Sequence, residues 1–147
     1  MPDKKFSNVD EAILGIFFPG FGVEKIIIED QKYEMRIFLK HNGKLSSCSK
    51  CKSHNLDDVE TKQINVRDLD FMRQKTTLIL TYKVSKCRDC GQELKDKISF
   101  LGKTGIFTGR FEERVLNLIK SKKTVDVIAK LMAITEEECQ LIVDTYK

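Results

Sequence analysis

Four of the five cysteines are arranged in two pairs that could hold a metal ion. Cys48 and Cys51 form one pair, Cys87 and Cys90 form the other, and 35 residues separate the two. A gap of two residues lets the backbone fold into a tight knuckle that points both sulfurs at one ion, and Gly91 supplies the backbone freedom that the end of a knuckle needs. The pattern predicts one structural Zn²⁺ ion bound by Cys48, Cys51, Cys87 and Cys90, with a redox or disulfide arrangement as the alternative.

The other side chains with metal-binding or catalytic chemistry form no comparable pattern. His54 follows Cys51 by three residues and could replace a sulfur, but the four cysteines complete a tetrahedral shell without it. Neither cysteine pair opens a helix after a strand, as a thioredoxin-like site requires, and the carboxylates show no acid–base spacing. Cys139 is expected on the buried side of a helix. The sequence therefore predicts a protein that is not an enzyme and has no small-molecule substrate.

Length and charge set further bounds. A chain of 147 residues forms one ordinary domain or two small ones. No apolar run reaches the roughly 20 residues of a membrane span, and no secretory signal opens the chain. Reduced thiols and metal-bound cysteines are typical of the cytoplasm, which is the predicted location. A net charge of +4 permits nucleic-acid binding without requiring it.

Hydrophobic patterning predicts a β-rich first part. Apolar residues at helical spacing, ended by Pro19 and Gly20, predict a short helix over residues 9–18. Strands are predicted where β-branched and aromatic residues alternate with polar ones, over residues 23–29, 33–40, 59–69, 75–86 and 93–100. Thr76, Leu78, Leu80, Tyr82 and Val84 should share one face of the strand that leads directly into Cys87. These elements predict a small antiparallel, zinc-ribbon-like β-unit over residues 1–100.

After Thr108 the apolar period changes from two to about 3.6, which predicts three helices over residues 101–147. Thr108 and Thr124 are candidate caps for helices over 109–120 and 125–132, and Thr135 with Glu138 forms a capping box for a helix over 136–146. The predicted class is therefore α+β. The last two helices fit a helix-turn-helix template, and a generic helical bundle is the alternative. The residues that match the template are Ile128, Ala129, Ala133, Ile134, Cys139 and Ile142.

Basic residues near the cysteine pairs and in the helical part could contact phosphates. The candidates for DNA binding are Lys50, Lys52, Lys86, Arg88, Lys103, Arg110, Arg114, Lys122 and Lys123. The alternative is that they are ordinary solvated cations. Glu136, Glu137 and Glu138 open the last helix, and phosphates would repel them. These glutamates argue against base reading by that helix and favour protein contact or a packing role.

The order of several motifs resembles a known family. Ile13-Leu14-Gly15-Ile16 precedes the strand over 23–29, and the first cysteine pair follows. Next come Val66-Arg67-Asp68-Leu69, Thr77-Leu78-Ile79-Leu80 and the second cysteine pair with Gly91. The helical part contributes Phe107-Thr108-Gly109-Arg110-Phe111-Glu112 and Val127-Ile128-Ala129. In this order they resemble the N-terminal region of bacterial insertion-sequence transposases that carry a zinc-binding domain, a helix-turn-helix and a catalytic domain with three carboxylates.

That resemblance implies zinc at the four cysteines, recognition of terminal repeats in double-stranded DNA, self-association and a bacterial cytoplasmic location. The catalytic carboxylates would lie beyond residue 147, so no transposition by this chain alone is expected. Two departures from the family are the weakly basic strand at Tyr82 to Lys86 and the acidic last helix. They motivate the alternative of a protein-interaction adaptor with little DNA affinity, whose partner, or a second copy, would bind the C-terminal helices.

Overall fold

The computed structural model describes residues 16–43, 47–95 and 97–147. Most of the helix predicted over residues 9–18 lies outside this part of the chain, although Ile16 and Phe17 are helical. Strands β1–β5 span Phe21–Glu29, Glu34–His41, Leu56–Arg67, Lys75–Cys87 and Glu93–Lys95, and helices α1–α3 span Gly109–Lys120, Val125–Met132 and Glu136–Thr145. The presence of both a sheet and separate helices confirms the predicted α+β class.

The five strands form one mixed sheet. Its order is β1-β2-β4-β3, and β5 pairs with the end of β4 beyond β2. The expectation of an antiparallel sheet is wrong for one pair, because β2 and β4 run parallel. Although β3 follows β2 in the sequence, it lies on the far side of β4 from β2, so β4 returns from β3 into the space between them. The strand predicted over 93–100 is also shorter than expected, since β5 ends at Lys95.

One face of the sheet carries the first hydrophobic core. Thr76, Leu78, Leu80, Tyr82 and Val84 of β4, which were predicted to share a face, are all buried. Side chains from the neighbouring strands and from the segment before β1 complete this core, among them Phe18, Phe21, Ile26, Ile37, Leu39 and Val66.

The three helices enclose a second core made of Phe107, Phe111, Val115, Ile128, Cys139 and Ile142. Two of the predicted caps are confirmed: Thr108 accepts a hydrogen bond from the Phe111 amide, and Thr135 and Glu138 form the capping box. Thr124 occupies the N-cap position of α2 without a capping hydrogen bond, because its hydroxyl bonds to Asp126 instead. No helix in the described ranges is long and apolar enough to cross a membrane.

The side chain of Arg67, at the end of β3, joins the sheet to the helices. Its Nη1 donates to the Ala133 carbonyl at 3.1 Å, and its Nη2 donates to the Met132 carbonyl at 3.2 Å. These two carbonyls end α2, where helix hydrogen bonding leaves acceptors without partners. Nη2 also pairs with Asp70 at 3.0 Å. The guanidinium thereby connects the end of β3 to the turn between α2 and α3.

Asp68, the next residue, makes a second connection. Its carboxylate is 1% exposed and accepts from Thr108 Oγ1 and from Arg110 Nε, both at 2.7 Å. Its second oxygen pairs with Arg110 Nη2, and this bond raises the pKa of the Arg110 guanidinium. A buried carboxylate needs such partners because its desolvation is otherwise costly. Arg67 and Asp68 are therefore structural residues that fix the start of α1 and the end of α2 against β3.

A third buried charge organises the loop before α1. Glu112 is fully buried and accepts hydrogen bonds from the amides of Lys103 and Thr104, from the Thr104 hydroxyl and from Tyr146 Oη. Gly102 lies directly against this carboxylate: a Cβ added there would stand 2.2 Å from Glu112 Cδ. The missing side chain at Gly102 is what leaves room for the carboxylate.

We expect Gly102→Ala to destabilise the fold by about 2 kcal/mol, because the four hydrogen bonds prevent Glu112 from moving away. Urea unfolding followed by circular dichroism measures the change. Gly109→Ala is the matched control, since a Cβ there meets only the Phe100 carbonyl at 3.8 Å. Equal stability of the two variants would show that Glu112 does not restrict this loop.

Candidate metal centre and basic surfaces

The four paired cysteines meet at one end of the β3–β4 ladder. Cys87 ends β4 and pairs with Leu56, the first residue of β3, so the ladder brings the two knuckles together. The four Sγ atoms lie within 4.8 Å of one another, with Cys48–Cys90 and Cys51–Cys87 separations of 3.5 Å. A disulfide would need about 2.05 Å. Four sulfurs about 2.3 Å from a tetrahedral ion lie about 3.8 Å apart, so this cluster can hold a metal ion.

The two knuckles have the same backbone design. The Lys52 amide donates to the Cys48 carbonyl, and the Gly91 amide donates to the Cys87 carbonyl, both at 2.9 Å. Lys52 and Gly91 both take left-handed conformations, with φ of 63° and 75°. The expected role of Gly91 is thus confirmed, and Lys52 takes the equivalent position in spite of its side chain.

Backbone amides set the protonation of the thiols. Hydrogen bonding from the Cys51 amide lowers the pKa of Cys48 to about 6, and the Cys90 amide likewise lowers the pKa of Cys87. The Ser53 amide acts to lower the pKa of Cys51, but the Cys87 thiol and burial outweigh it and raise that pKa to about 12. The pKa of Cys90 is also raised, because burial and the Cys48 thiol outweigh the amide of Gln92. The first cysteine of each pair is thus the more acidic, and a bound cation would displace the remaining thiol protons.

Packing holds the first cysteine of each pair more firmly than the second. Cys48 and Cys87 are buried against Leu56 and Leu94, whereas the other two cysteines lie at the surface. Across the centre, the Arg88 amide donates to the Asn55 carbonyl at 2.9 Å. The cluster is therefore preformed by the protein and open to solvent on one side.

The candidate DNA-binding residues fall into two groups at opposite ends of β4. Lys50, Lys52, Lys86 and Arg88 surround the cysteines, whereas Lys103, Arg110, Arg114, Lys122 and Lys123 belong to the helical part. Arg67, which contacts the helices, lies opposite Thr77, ten residues from Cys87 along the strand. At about 3.3 Å per residue, about 33 Å of β4 separates Cys87 from the residue opposite Arg67. The structure therefore does not gather these cations into one patch.

Some of these cations already have partners. Arg88 forms a two-pronged pair with Asp57, at 2.6 and 2.5 Å, and this contact lowers the pKa of Asp57. Arg110 is bound to Asp68, and Lys103 Nζ lies 4.7 Å from the centre of the Tyr146 ring. The remaining candidates are exposed and form no salt bridge to a carboxylate of the described residues: Lys50, Lys52, Lys86, Arg114, Lys122 and Lys123.

Sequence reasoning did not identify Arg67, Asp68 or Glu112 as organising residues. The signal for the first two was present: two adjacent charges lie between Val66 and Leu69 in a stretch that leads into the core. Two adjacent charged residues in an apolar stretch indicate buried side chains that are held by hydrogen bonds. For Cys139, burial is confirmed, and burial raises the pKa of its thiol.

The turn between α2 and α3 has a distinctive geometry. Ala133 takes a left-handed conformation with φ of 53°, and the Ile134 amide donates to the Ala129 carbonyl at 3.0 Å. Ala129 itself is buried at the helix crossing. A small residue there lets the helices approach closely.

Comparison with known proteins gives one informative likeness. No family model and no solved structure matches this chain. The chain is 27% identical over 112 residues to the "Transposase for insertion sequence element IS1001" from Bordetella parapertussis. The aligned stretch covers 76% of this chain and 27% of that transposase, so the chain spans about a quarter of the relative's length. The protein is thus similar to a transposase over most of its sequence, in agreement with the resemblance seen in its motifs.

Proposed function

We propose that this chain is a non-enzymatic, zinc-containing DNA-binding module of the transposase-related type. It would recognise terminal repeats or regulate transposition or transcription. The observation that carries the proposal is the similarity to a transposase in a chain whose four paired cysteines converge on one point.

Zinc is the metal that best fits the cluster. Four thiolates in a tetrahedral arrangement suit Zn²⁺ or an iron–sulfur cluster. The matching knuckles around Cys48 and Cys87 and the 3.5 Å sulfur separations leave room for a single ion at their centre. With all four positions taken by protein sulfur, the ion would have no open site for a substrate and would serve to hold the strand ends together.

The helix-turn-helix interpretation rests on the turn between α2 and α3. The left-handed Ala133, the buried Ala129 and the buried Ile128 and Ile142 match what such a turn requires. The acidic start of α3 remains unfavourable for groove reading, because Glu136 and Glu137 are exposed. We therefore assign the phosphate contacts to Arg114, Lys122 and Lys123 of the helical part and to Lys50, Lys52 and Lys86 near the cysteines.

The length of β4 suits duplex DNA. One turn of the B-form duplex advances 34–36 Å, close to the roughly 33 Å of strand from Thr77 to Cys87. We propose that the two groups contact phosphates about one turn apart. This bipartite contact explains how a chain with a modest net charge would bind DNA.

The test is a titration of a fluorescein-labelled duplex of about 30 base pairs with the full, zinc-loaded chain at about 50 and 200 mM salt. We expect affinity to fall steeply between the two salt concentrations. Absence of binding at the lower salt would reject the DNA-binding function, and binding insensitive to salt would reject the phosphate contacts.

The adaptor alternative is favoured by one observation. Val127 and Leu131 of α2 and Leu141 of α3 are exposed apolar side chains, and Glu136 and Glu137 of α3 are exposed as well. Such a mixed surface suits a protein partner better than DNA. Failure to bind DNA in the titration, together with self-association that Leu131→Gln abolishes, would favour this second function.

Lys122→Gln should weaken DNA binding about equally for all sequences and reduce the salt slope by about 0.9, the effect of losing one phosphate contact. Lys147→Gln is the matched control, because it removes the same charge from a lysine already paired with Asp144 at 3.0 Å. The same titration measures both variants. If both variants lost the same affinity for DNA, the effect would come from the change in net charge alone.

A further inference from the structure

The turn between β3 and β4 has an unusual composition. The Phe71 amide donates to the Gln74 carbonyl at 3.1 Å, and the Gln74 amide donates back at 2.9 Å, which closes a two-residue hairpin. Its two central residues, Met72 and Arg73, have φ of 50° and 64°. A turn with two positive φ angles is of type I′, and Asn-Gly is its favoured sequence.

The side chains of this turn are not those that its backbone favours. Left-handed backbone is unfavourable for side chains such as those of Met72 and Arg73. Phe71 is 48% exposed and Met72 is 78% exposed, so neither side chain is buried in the core. The buried Oε1 of Gln74 has no hydrogen-bond partner among the described residues. Strain and exposed apolar groups in one short turn indicate selection for a contact with another molecule.

A second exposed aromatic lies beside this turn. Because β2 and β4 run parallel, both strands begin at the same end of the sheet, and the Lys75 amide donates to the Tyr33 carbonyl at 2.7 Å. Tyr33 is 67% exposed and also left-handed, with φ of 53°. We call the surface formed by Tyr33, Phe71, Met72, Arg73 and Lys75 the tip surface. It combines three large side chains with two exposed cations.

The tip surface is held rigidly next to the helices. Thr76 Oγ1 accepts from the Phe71 amide at 3.2 Å and donates to the Gln74 carbonyl at 3.0 Å, which fixes the base of the turn. Arg67 pairs with Asp70 just before the turn and with the carbonyls of Met132 and Ala133 between α2 and α3. The Arg67 guanidinium therefore links the segment just before the tip surface to the turn between α2 and α3. It also pairs with the carboxylate of Asp70.

We propose that the tip surface is a DNA-contacting wing, in which Met72 inserts as an apolar wedge into the minor groove and Arg73 and Lys75 contact the flanking phosphates. This inference rests on the proposed DNA-binding function. Proteins that bend DNA from the minor groove use this chemistry, an apolar side chain between base steps with adjacent cations. The wing would extend the surface that contacts DNA beyond the acidic α3.

The decisive variant is the double substitution Met72→Asn with Arg73→Gly, which installs the sequence preferred by this turn. We expect its melting temperature to rise, because the left-handed strain is relieved. Its affinity for the duplex should fall about tenfold, the scale of losing one or two contacts in a protein–DNA interface. Stability and binding should therefore change in opposite directions, which loss of folding cannot imitate.

Single substitutions separate the wedge from the charge. The probe is a duplex of about 30 base pairs with a central TA step and a donor–acceptor pair at its ends, since such a step kinks readily. Met72→Asn should abolish the bend reported by energy transfer and leave the salt slope unchanged. Arg73→Asn, which keeps a residue suited to the turn, should reduce the salt slope by about 0.9.

The outcomes distinguish the two proposals. If the wild-type chain binds no DNA, the proposed function fails and the wing fails with it. If the wild-type chain binds and the double variant binds equally well, the wing alone is rejected. The wing is also rejected if the double variant melts lower, or if it loses only self-association in sedimentation, since the tip surface would then stabilise the fold or contact a second copy.

Discussion

Cys87→Ser should release the metal and unfold the strand ends. Cys87 is buried at the end of β4, where its sulfur faces Cys51 at 3.5 Å, and serine offers no comparable ligand for zinc. Structural zinc contributes roughly 10–16 kcal/mol in zinc-finger peptides, so we expect a loss of several kcal/mol. The wild-type chain should hold one zinc per chain by elemental analysis and melt at a lower temperature after treatment with a chelator.

The fifth cysteine supplies the control. Cys139→Ala alters a buried thiol in the helical core, far from the cluster, so zinc content should stay at one ion per chain despite a modest loss of stability. If Cys87→Ser kept its zinc and its melting curve, the cluster would not be a structural metal site. Loss of zinc in both variants would show that metal binding depends on global folding and not on the cluster.

Arg67→Met should separate the helices from the sheet, and we expect a loss of about 3 kcal/mol. The variant keeps the length of the side chain and removes two charge-assisted hydrogen bonds to the carbonyls of Met132 and Ala133, each worth roughly 1.5–3 kcal/mol. Urea unfolding measures the loss. Amide exchange should show that α2 and α3 open before β3 and β4, because their connection to β3 is weakened.

Arg114→Met is the corresponding control. Arg114 is an exposed residue of α1, and its guanidinium forms no salt bridge to a carboxylate of the described residues. The unfolding free energy of this variant should change by less than about 0.5 kcal/mol. A similarly small change in Arg67→Met would mean that the hydrogen bonds of Arg67 to α2 contribute little to joining the two parts.

Local features of the fold were predictable from the sequence. The two-residue gaps and Gly91 predict the knuckles, because knuckle geometry depends on a few consecutive residues. The alternation from Thr76 to Val84 predicts which side chains share a face of β4, and Thr108 and Thr135 predict the helix starts for the same reason. In each case neighbouring residues determine the structure.

Features that depend on distant residues were not predictable. Nothing in β2 or β4 specifies that they run parallel, since this follows from the placement of β3 on the far side of β4. The sequence could not show which lysines and arginines are paired with carboxylates. The partners of Arg88 and Arg110 lie 31 and 42 residues away in the sequence. The strain at Met72 and Arg73 is likewise a property of the turn that β3 and β4 impose.

The register of β3 and β4 has a consequence for the order of events during synthesis. The four paired cysteines and the ladder that aligns them lie between Cys48 and Cys90, so we expect this region to close around the proposed ion while the helices are still in the ribosome. Arg67 would then be in place at the end of β3 before its partners Met132 and Ala133 are made. We therefore expect the ladder with its cysteines to act as a template on which the helical part is assembled last.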